Sequence, residues 1–408
     1  MAEDSKKGFA ELAKQASLMP QEAMLEIKKR DKQLHIGIPK ETSFQENRVA
    51  VTPQAAGLLV NNGHMVTIES GAGKNANFTD NDYSEKGAQI VYGPEDVFKA
   101  DIIMKVEPPS LEEIKMMQVE QTLISALQLS TLKKEQIEAL LAKKVTAIAY
   151  EYIKDDDGTF PVIRSMSEIA GGTAILIAAE YLSNENQGKG QLMGGVSGIP
   201  PTDVVILGAG TVGEFATRAA LGLGANVKVF DTNIYKLRRL QNDINERIFT
   251  SVMYPAIIEK ALKTADVVIG AIHAELGRSP CVVTEAMVQN MKAGSVIIDV
   301  SVDQGGCFET SKVTTHTNPV FKLHDVIHYC VPNIASRVSR TASYGLSNIF
   351  TPILLDIGES GGIKNMLWEK AGVRHGVYLY KSNLTNKYIS EICDMAYKEI
   401  DLLIPAHM

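Results

Sequence analysis

The sequence predicts an α/β protein made of two doubly wound domains with a cleft between them. Two observations carry that expectation. Short apolar runs alternate with amphipathic segments along most of the chain. Near its middle, the run Val204 to Leu207 leads straight into Gly208-x-Gly210-x-x-Gly213 and an amphipathic segment, and a second run, Val227 to Phe230, then ends on Asp231.

A strand, a glycine turn, a helix and a strand closed by an acid form a dinucleotide-binding βαβ unit, and each part has a physical reason. Gly208 allows the tight turn, Gly210 lets the backbone approach a pyrophosphate, and Gly213 lets helix and strand pack closely. The pyrophosphate sits on the helix N-terminus, opened by Thr211 and Val212, where backbone N–H groups have no partner. Asp231 falls where an acceptor for the adenosine ribose hydroxyls is expected. A carboxylate there repels a 2′-phosphate, which favours NAD over NADP.

The other elements follow in order. Residues 1–33 read as a helical extension, with Pro20 between two helical stretches and a basic run at the end. From Leu34 the pattern becomes α/β. LHIGIPKE, HMVTIES, IIMKV, TLISAL and VTAIAYE read as strands, and AAGLLVNNG and LKKEQIEALLAKK as helices. Residues 34–161 form the first domain. A long apolar helix, Ser167 to Leu182, crosses into the second domain, 162–338, with a glycine-rich loop or hairpin, Gly188 to Gly198, before the glycine-turn strand. ADVVIGAI, GSVIIDVSVD and FKLHDVIHYCV read as further strands. The tail, 339–408, reads as helical and is expected to pack back onto the first domain.

Composition narrows the function. With 408 residues, 45% hydrophobic and 22% charged, the chain is an ordinary globular sequence long enough for two or three domains. A net charge of −7 argues against nucleic acid or an anionic membrane as the main partner. No unbroken apolar run suits a bilayer span, and MAEDSKKGFAELAKQ has no signal-peptide core. Cys281, Cys307, Cys330 and Cys393 are scattered without metal-type spacing, as free thiols in a reducing cytoplasm would be.

Several ordered segments together resemble the alanine dehydrogenase / nicotinamide nucleotide transhydrogenase family. They are Gly37-Ile-Pro-Lys-Glu41, Arg48-Val-Ala-Val-Thr-Pro53, Gly71-Ala-Gly73, Met166-Ser-Glu-Ile-Ala-Gly171, the Gly208 turn, and Asp303-Gln-Gly-Gly-Cys-Phe-Glu309. The last of these looks more like alanine dehydrogenase than like the transhydrogenase subunit. The resemblance implies two Rossmann-like domains and NAD-dependent interconversion of L-alanine with pyruvate and ammonium. It also implies a homo-hexamer whose partner is a small amino or keto acid. Arg48 matches the arginine that anchors the substrate carboxylate, and Asp303 the aspartate of the catalytic cleft. Ser167 matches a serine at the cofactor phosphates, with a second possible use as a helix cap, and Asn333 an asparagine near the nicotinamide.

At two positions the sequence departs from that pattern. Glu107, in Lys105-Val-Glu-Pro-Pro109, stands where the family has a substrate-binding lysine. Gln128, in Ala126-Leu-Gln-Leu-Ser130, stands where it has a proton-handling histidine. Glutamine cannot titrate near neutral pH, and an ionised Glu107 facing a substrate carboxylate repels it. Lys105 could substitute only if the strand stays regular up to the proline. No histidine lies between His64 and His273, so His273, after ADVVIGAI, is the candidate displaced proton carrier. His324 and His328 are expected to be structural, with no third metal ligand in view. The departures leave two alternatives beside an alanine dehydrogenase. One is a transhydrogenase-like NAD(H)-binding protein without deaminase activity; the other is an oxidoreductase on a different amino or keto acid, for which Glu107 would favour a cationic portion.

Overall fold

The structure is a computed structural model that describes residues 32–129, 132–274 and 277–404. The helical extension expected over residues 1–33 lies almost wholly outside them. Among the described residues the chain forms two separate sheets.

The first sheet is built from β1 (His35–Ile38), β2 (Met65–Glu69), β3 (Gln89–Val91), β4 (Ile102–Met104), β5 (Thr122–Ser125), β6 (Thr146–Ala149), β14 (Val377–Tyr380) and β15 (Asn383–Leu384). Its order is β15-β14-β6-β5-β4-β1-β2-β3. The second holds β7 (Asp203–Leu207), β8 (Asn226–Asp231), β9 (Phe249–Val252), β10 (Val267–Gly270), β11 (Val296–Asp299), β12 (Val320–Leu323) and β13 (Val326–Tyr329). Its order is β12-β13-β11-β10-β7-β8-β9. Each contains the doubly wound parallel arrangement, in which the first strand of the unit lies beside the fourth and the winding reverses direction. The reversal falls between β1 and β4 in one sheet and between β7 and β10 in the other. Ligands of open α/β sheets bind at the carboxyl ends of strands at such points.

The central strands are short Val- and Ile-rich runs with every residue of β10 and β11 buried, as sheets covered by helices on both faces require. The helix Pro161–Tyr181 connects the two lobes. Pro161 sits in its first turn, where the missing N–H costs nothing. By length and composition this helix could cross a bilayer, yet Ala174, Ile175, Ile177 and Ala178 are buried in the second lobe's core.

Sequence and structure differ in two elements. The tail is not wholly helical: after the helix Ser339–Glu359 it supplies β14 and β15, and β14 pairs antiparallel with β6. FKLHDVIHYCV is not one strand but a β12–β13 hairpin, turned at His324 and Asp325 with φ of 52° and 60°. Asp tolerates that left-handed geometry, and a single apolar run does not announce it. The tail does return to the first lobe, where Leu346, Phe350, Leu354 and Ile357 share a core with Ile36, Val51 and Leu59.

Candidate functional site

Arg48 lies in the loop after β1, and the returning tail fixes its position. The backbone N–H groups of Val49 and Thr52, on either side of the same short run, donate to Ser343 Oγ at 2.9 Å and Ser347 Oγ at 2.7 Å. Its guanidinium is clasped by Glu46, with Nε donating to Oε1 at 2.8 Å and Nη2 to Oε2 at 2.6 Å. Glu107 Oε1 lies 3.4 Å from the same Nη2. The Arg48, Glu46 and Glu107 side chains are only 8%, 1% and 9% exposed, so their charges act with little solvent screening. The remaining arm, Nη1, meets the sulfur of Met166 at 3.6 Å. Thioether sulfur is a weak acceptor, which leaves that arm suited to a better one.

Glu107 and Gln128 come together: Gln128 Nε2 donates to Glu107 Oε2. Gln128 holds φ of 46°, and Glu151 supports that turn by accepting the N–H groups of Leu127 at 2.7 Å and Gln128 at 3.2 Å. The electrostatics separate two carboxyls. Burial opposes ionisation of Glu46, but the charge and hydrogen bonds of Arg48 outweigh it and hold Glu46 well below the usual range. Burial, then the charge of Glu46, pushes Glu107 up to about 8 against the pull of Arg48. The pair therefore keeps a proton on Glu107 at neutral pH, which removes most of the charge repulsion expected from the sequence.

Lys105 does not replace the missing lysine. It is fully buried, with Nζ donating to Glu41 Oε2 at 3.0 Å and Glu113 Oε1 at 2.9 Å. Burial opposes its charge, but the two carboxylates hold its proton above the ordinary range. This ammonium is internal structure.

From the second lobe, Asp303 follows β11 in the turn Val300–Gln304 and reaches the cleft. Asp303 keeps an exposed face, yet desolvation by the surrounding protein raises its carboxyl to about 6, with the Asn333 N–H and Arg48 pulling down. Asn333, at φ of 55°, donates its N–H to Asp303 Oδ1 at 3.3 Å and its Nδ2 to Glu46 Oε2 at 2.7 Å. One side chain thus joins the two lobes. Glu46 stands at the centre of the site and sequence reasoning missed it; its signal was its place two residues before Arg48 in an extended loop.

The glycine turn is built as its spacing predicts. Gly208 has φ of +117°, and a Cβ there would lie 2.2 Å from Ala271 O. A Cβ on Gly213 would lie 1.9 Å from Gly208 O, whereas nothing stands within 4 Å of one on Gly210. The helix Thr211–Gly222 has no side-chain cap at its N-terminus. Asp231 is buried, with Oδ2 accepting Ala209 N–H and Oδ1 accepting Asn233 N–H, each at 2.7 Å. It therefore braces the glycine turn in addition to any contact with a ligand. Gly171 faces the start of the same helix, since its Cβ would fall 2.4 Å from Val212 O. Ser167 lies one turn earlier on that helical face. It is six residues inside its helix, so it is not a cap.

The histidines divide. His328 is buried between Thr310 Oγ1 at 2.9 Å and Val326 O at 3.1 Å, and it stacks on Phe321; His324 pairs with Glu285 at 2.7 Å. Both are occupied structurally, and no cluster among the described residues suits a metal ion. His273 stands exposed in the loop after β10.

Comparison with known proteins identifies the family. The alanine dehydrogenase/PNT N-terminal domain matches residues 37–170, and the corresponding C-terminal domain matches 174–387. The chain is 38% identical over 370 residues to an alanine dehydrogenase of Mycolicibacterium smegmatis, covering 89% of this chain and 98% of that one. It is 38% identical over 369 residues to alanine dehydrogenase 2 of Staphylococcus aureus, covering 90% and 99%. A solved L-alanine dehydrogenase superposes with a TM-score of 0.84 at 37% identity, covering 89% and 100%. A transhydrogenase from Sinorhizobium meliloti shares the fold, with a TM-score of 0.75 at 23% identity over 87% and 99%. With both domains matched in order over most of its length, the chain belongs to the alanine dehydrogenase/PNT family.

Proposed function

We propose that this chain is an NAD-dependent amino-acid dehydrogenase of the alanine dehydrogenase type, converting L-alanine, NAD+ and water to pyruvate, ammonium and NADH. What most supports the reading is one junction: Asn333 ties Glu46, beside Arg48, to Asp303, each held at the carboxyl end of a parallel strand.

The residues fit the cofactor. The open space over Gly210 and the uncapped helix start offer a diphosphate both room and N–H donors. In this reading Gly208, Gly210, Thr211, Val212 and Gly213 line the diphosphate, with Ser167 beside it. Asp231 receives the ribose and Asn333 lies by the nicotinamide. When bound, NAD+ supplies the hydride acceptor.

The chain's own groups do the rest. Arg48 holds the substrate carboxylate through Nη1, the arm that Glu46 leaves free. Asp303, ionised over much of the neutral range, faces the substrate ammonium and orients it or the attacking water. Asn333 sets the spacing between these two groups. The same reading takes a cytoplasmic homo-hexamer, by resemblance to the family, with a small amino or keto acid as its partner rather than nucleic acid or membrane.

A second reading, in which the substrate is an amino or keto acid other than alanine, rests on Glu107 lying beside the anchoring guanidinium. Mixing the protein with NAD+ and a panel of L-amino acids at alkaline pH separates the two readings. Absorbance at the NADH band with L-alanine supports the first; a response only to a different amino acid supports the second. NADH binding with no turnover on any of them defeats both.

A further inference from the structure

The site holds a carboxyl group that the reaction as described does not use. Glu107 sits against the guanidinium that anchors the substrate, with one oxygen on Arg48 Nη2 at 3.4 Å and the other on the Gln128 amide. The first contact is long for a hydrogen bond, and the carboxyl also hydrogen-bonds Glu46; a substrate held by the same arginine would compete with Glu46 for its proton. We infer that the Glu107 carboxyl carries the protons of the amine-to-carbonyl step, with Gln128 positioning it, so that two residues divide the work of an imidazole. This assignment rests on the function proposed above.

Its surroundings support the role. Glu46 and Arg48 face Glu107 from the loop after β1, and Glu41, in the same loop, accepts the Glu107 N–H at 3.4 Å. Lys105, two residues earlier and just beyond β4, is turned away onto Glu41 and Glu113. Gln128 and Glu151 close the side toward β5 and β6, where Tyr150 donates to Val106 O at 2.6 Å. From the second lobe Asp303 acts on Arg48 and His316 on Glu46, the two groups that face Glu107. Glu46 also touches both Arg48 and an uncharged amide, that of Asn333, but the guanidinium holds it ionised; Glu107, between Arg48 and the Gln128 amide, is the carboxyl that keeps its proton. Its proton is held into the neutral range by burial and by the charge on Glu46, where a proton carrier works best.

The step balances without a further reactant. In the oxidative direction the step starts from ionised Glu107, the form that prevails above about 8: water adds to the substrate's iminium carbon, and as the C–O bond forms one water proton passes to the Glu107 carboxylate. Glu107 gives that proton to the nitrogen. The C–N bond breaks as an oxygen lone pair closes the carbonyl, and the hydroxyl proton returns to Glu107 before it leaves with ammonia as ammonium. In the reverse direction the protonated carboxyl donates to the keto oxygen.

The rival carrier is His316, whose Nε2 is buried on the Asn333 side of the cleft without a hydrogen-bond partner among the described residues. The test uses oxamate, an unreactive analogue of a 2-oxo acid, titrated into the protein–NADH complex across pH 5 to 10 by fluorescence. Wild type is expected to lose oxamate affinity about tenfold per pH unit above one titration, because the carboxyl must be protonated to receive the ligand. Glu107→Gln is expected to flatten that dependence while lowering turnover about 10²–10⁴-fold and leaving NADH affinity within about threefold. Gln128→Ala is expected to move the titration without abolishing it. Unchanged pH dependence in Glu107→Gln, or its loss in His316→Gln instead, overturns the assignment alone. Absence of oxamate binding at every pH overturns the proposed function with it.

Discussion

Asn333 Nδ2 donates to Glu46 Oε2 at 2.7 Å, a bond that joins the second lobe to the carboxylate gripping Arg48. The two lobes are therefore coupled, at the site proposed for cofactor and substrate, through one amide. Replacing that amide by a carboxyl, Asn333→Asp, sets a like charge against Glu46. Isothermal titration is expected to show oxamate affinity for the NADH complex falling by about tenfold or more, since a lost charge-assisted hydrogen bond is worth roughly 1.5–3 kcal/mol.

Arg48 has a structural duty besides the substrate role proposed for it. Arg48→Ala strands Glu46 in a buried site, and breaking such a pair costs on the order of 3–5 kcal/mol. Thermal unfolding should show a clear drop in Tm, and the double variant Glu46→Gln, Arg48→Ala should recover part of it. If the double variant is no more stable than Arg48→Ala, then the ion pair is not what holds this loop.

Glu107 makes stability depend on pH. Its proton affinity is raised on folding, to about 8 from an ordinary value of 4.5. The folded chain thus binds the proton that the unfolded chain releases first, and this contribution is full below 4.5 and lost as pH rises through 8. Glu107→Gln should give a flatter Tm profile across that window, with the largest gain over wild type at its alkaline end, on the order of a few kcal/mol. Calorimetric scans at intervals from pH 5 to 9 read it directly.

The glycine turn separates binding from folding. Gly210→Ala meets no protein atom within 4 Å, so Tm should hold while NADH affinity drops about tenfold as the methyl enters the diphosphate space. Gly213→Ala collides with Gly208 O and should lower Tm by several degrees or abolish folding. Equal loss of Tm in both variants would show that Gly210 serves packing rather than the cofactor.

Lys105→Met tests the internal triad. Removing the ammonium leaves Glu41 and Glu113 facing each other in a dry environment, so Tm should fall sharply. The triple variant with both glutamates made glutamine should regain stability.

Much of this protein could be read from the chain alone. The Gly208 turn, the strands on either side of it and Asp231 were legible because their pattern is local: apolar runs, glycine spacing and a terminal acid all lie within one βαβ unit. Arg48, Glu107, Gln128 and Asp303 were legible as positions within recognisable segments. Their partners were not. The clasp of Glu46 on Arg48, the transfer of Lys105 to Glu41 and Glu113, and the link from Asn333 to Glu46 all depend on loops brought together from different strand ends. The β12–β13 turn and the tail strands also escaped, because one apolar run fits a strand or a hairpin equally well and edge pairing depends on an available neighbour. Residue types and their order thus specified the fold and the kind of site. Which charges survive in that site was decided by tertiary structure, because burial and neighbouring charges act through space rather than along the sequence.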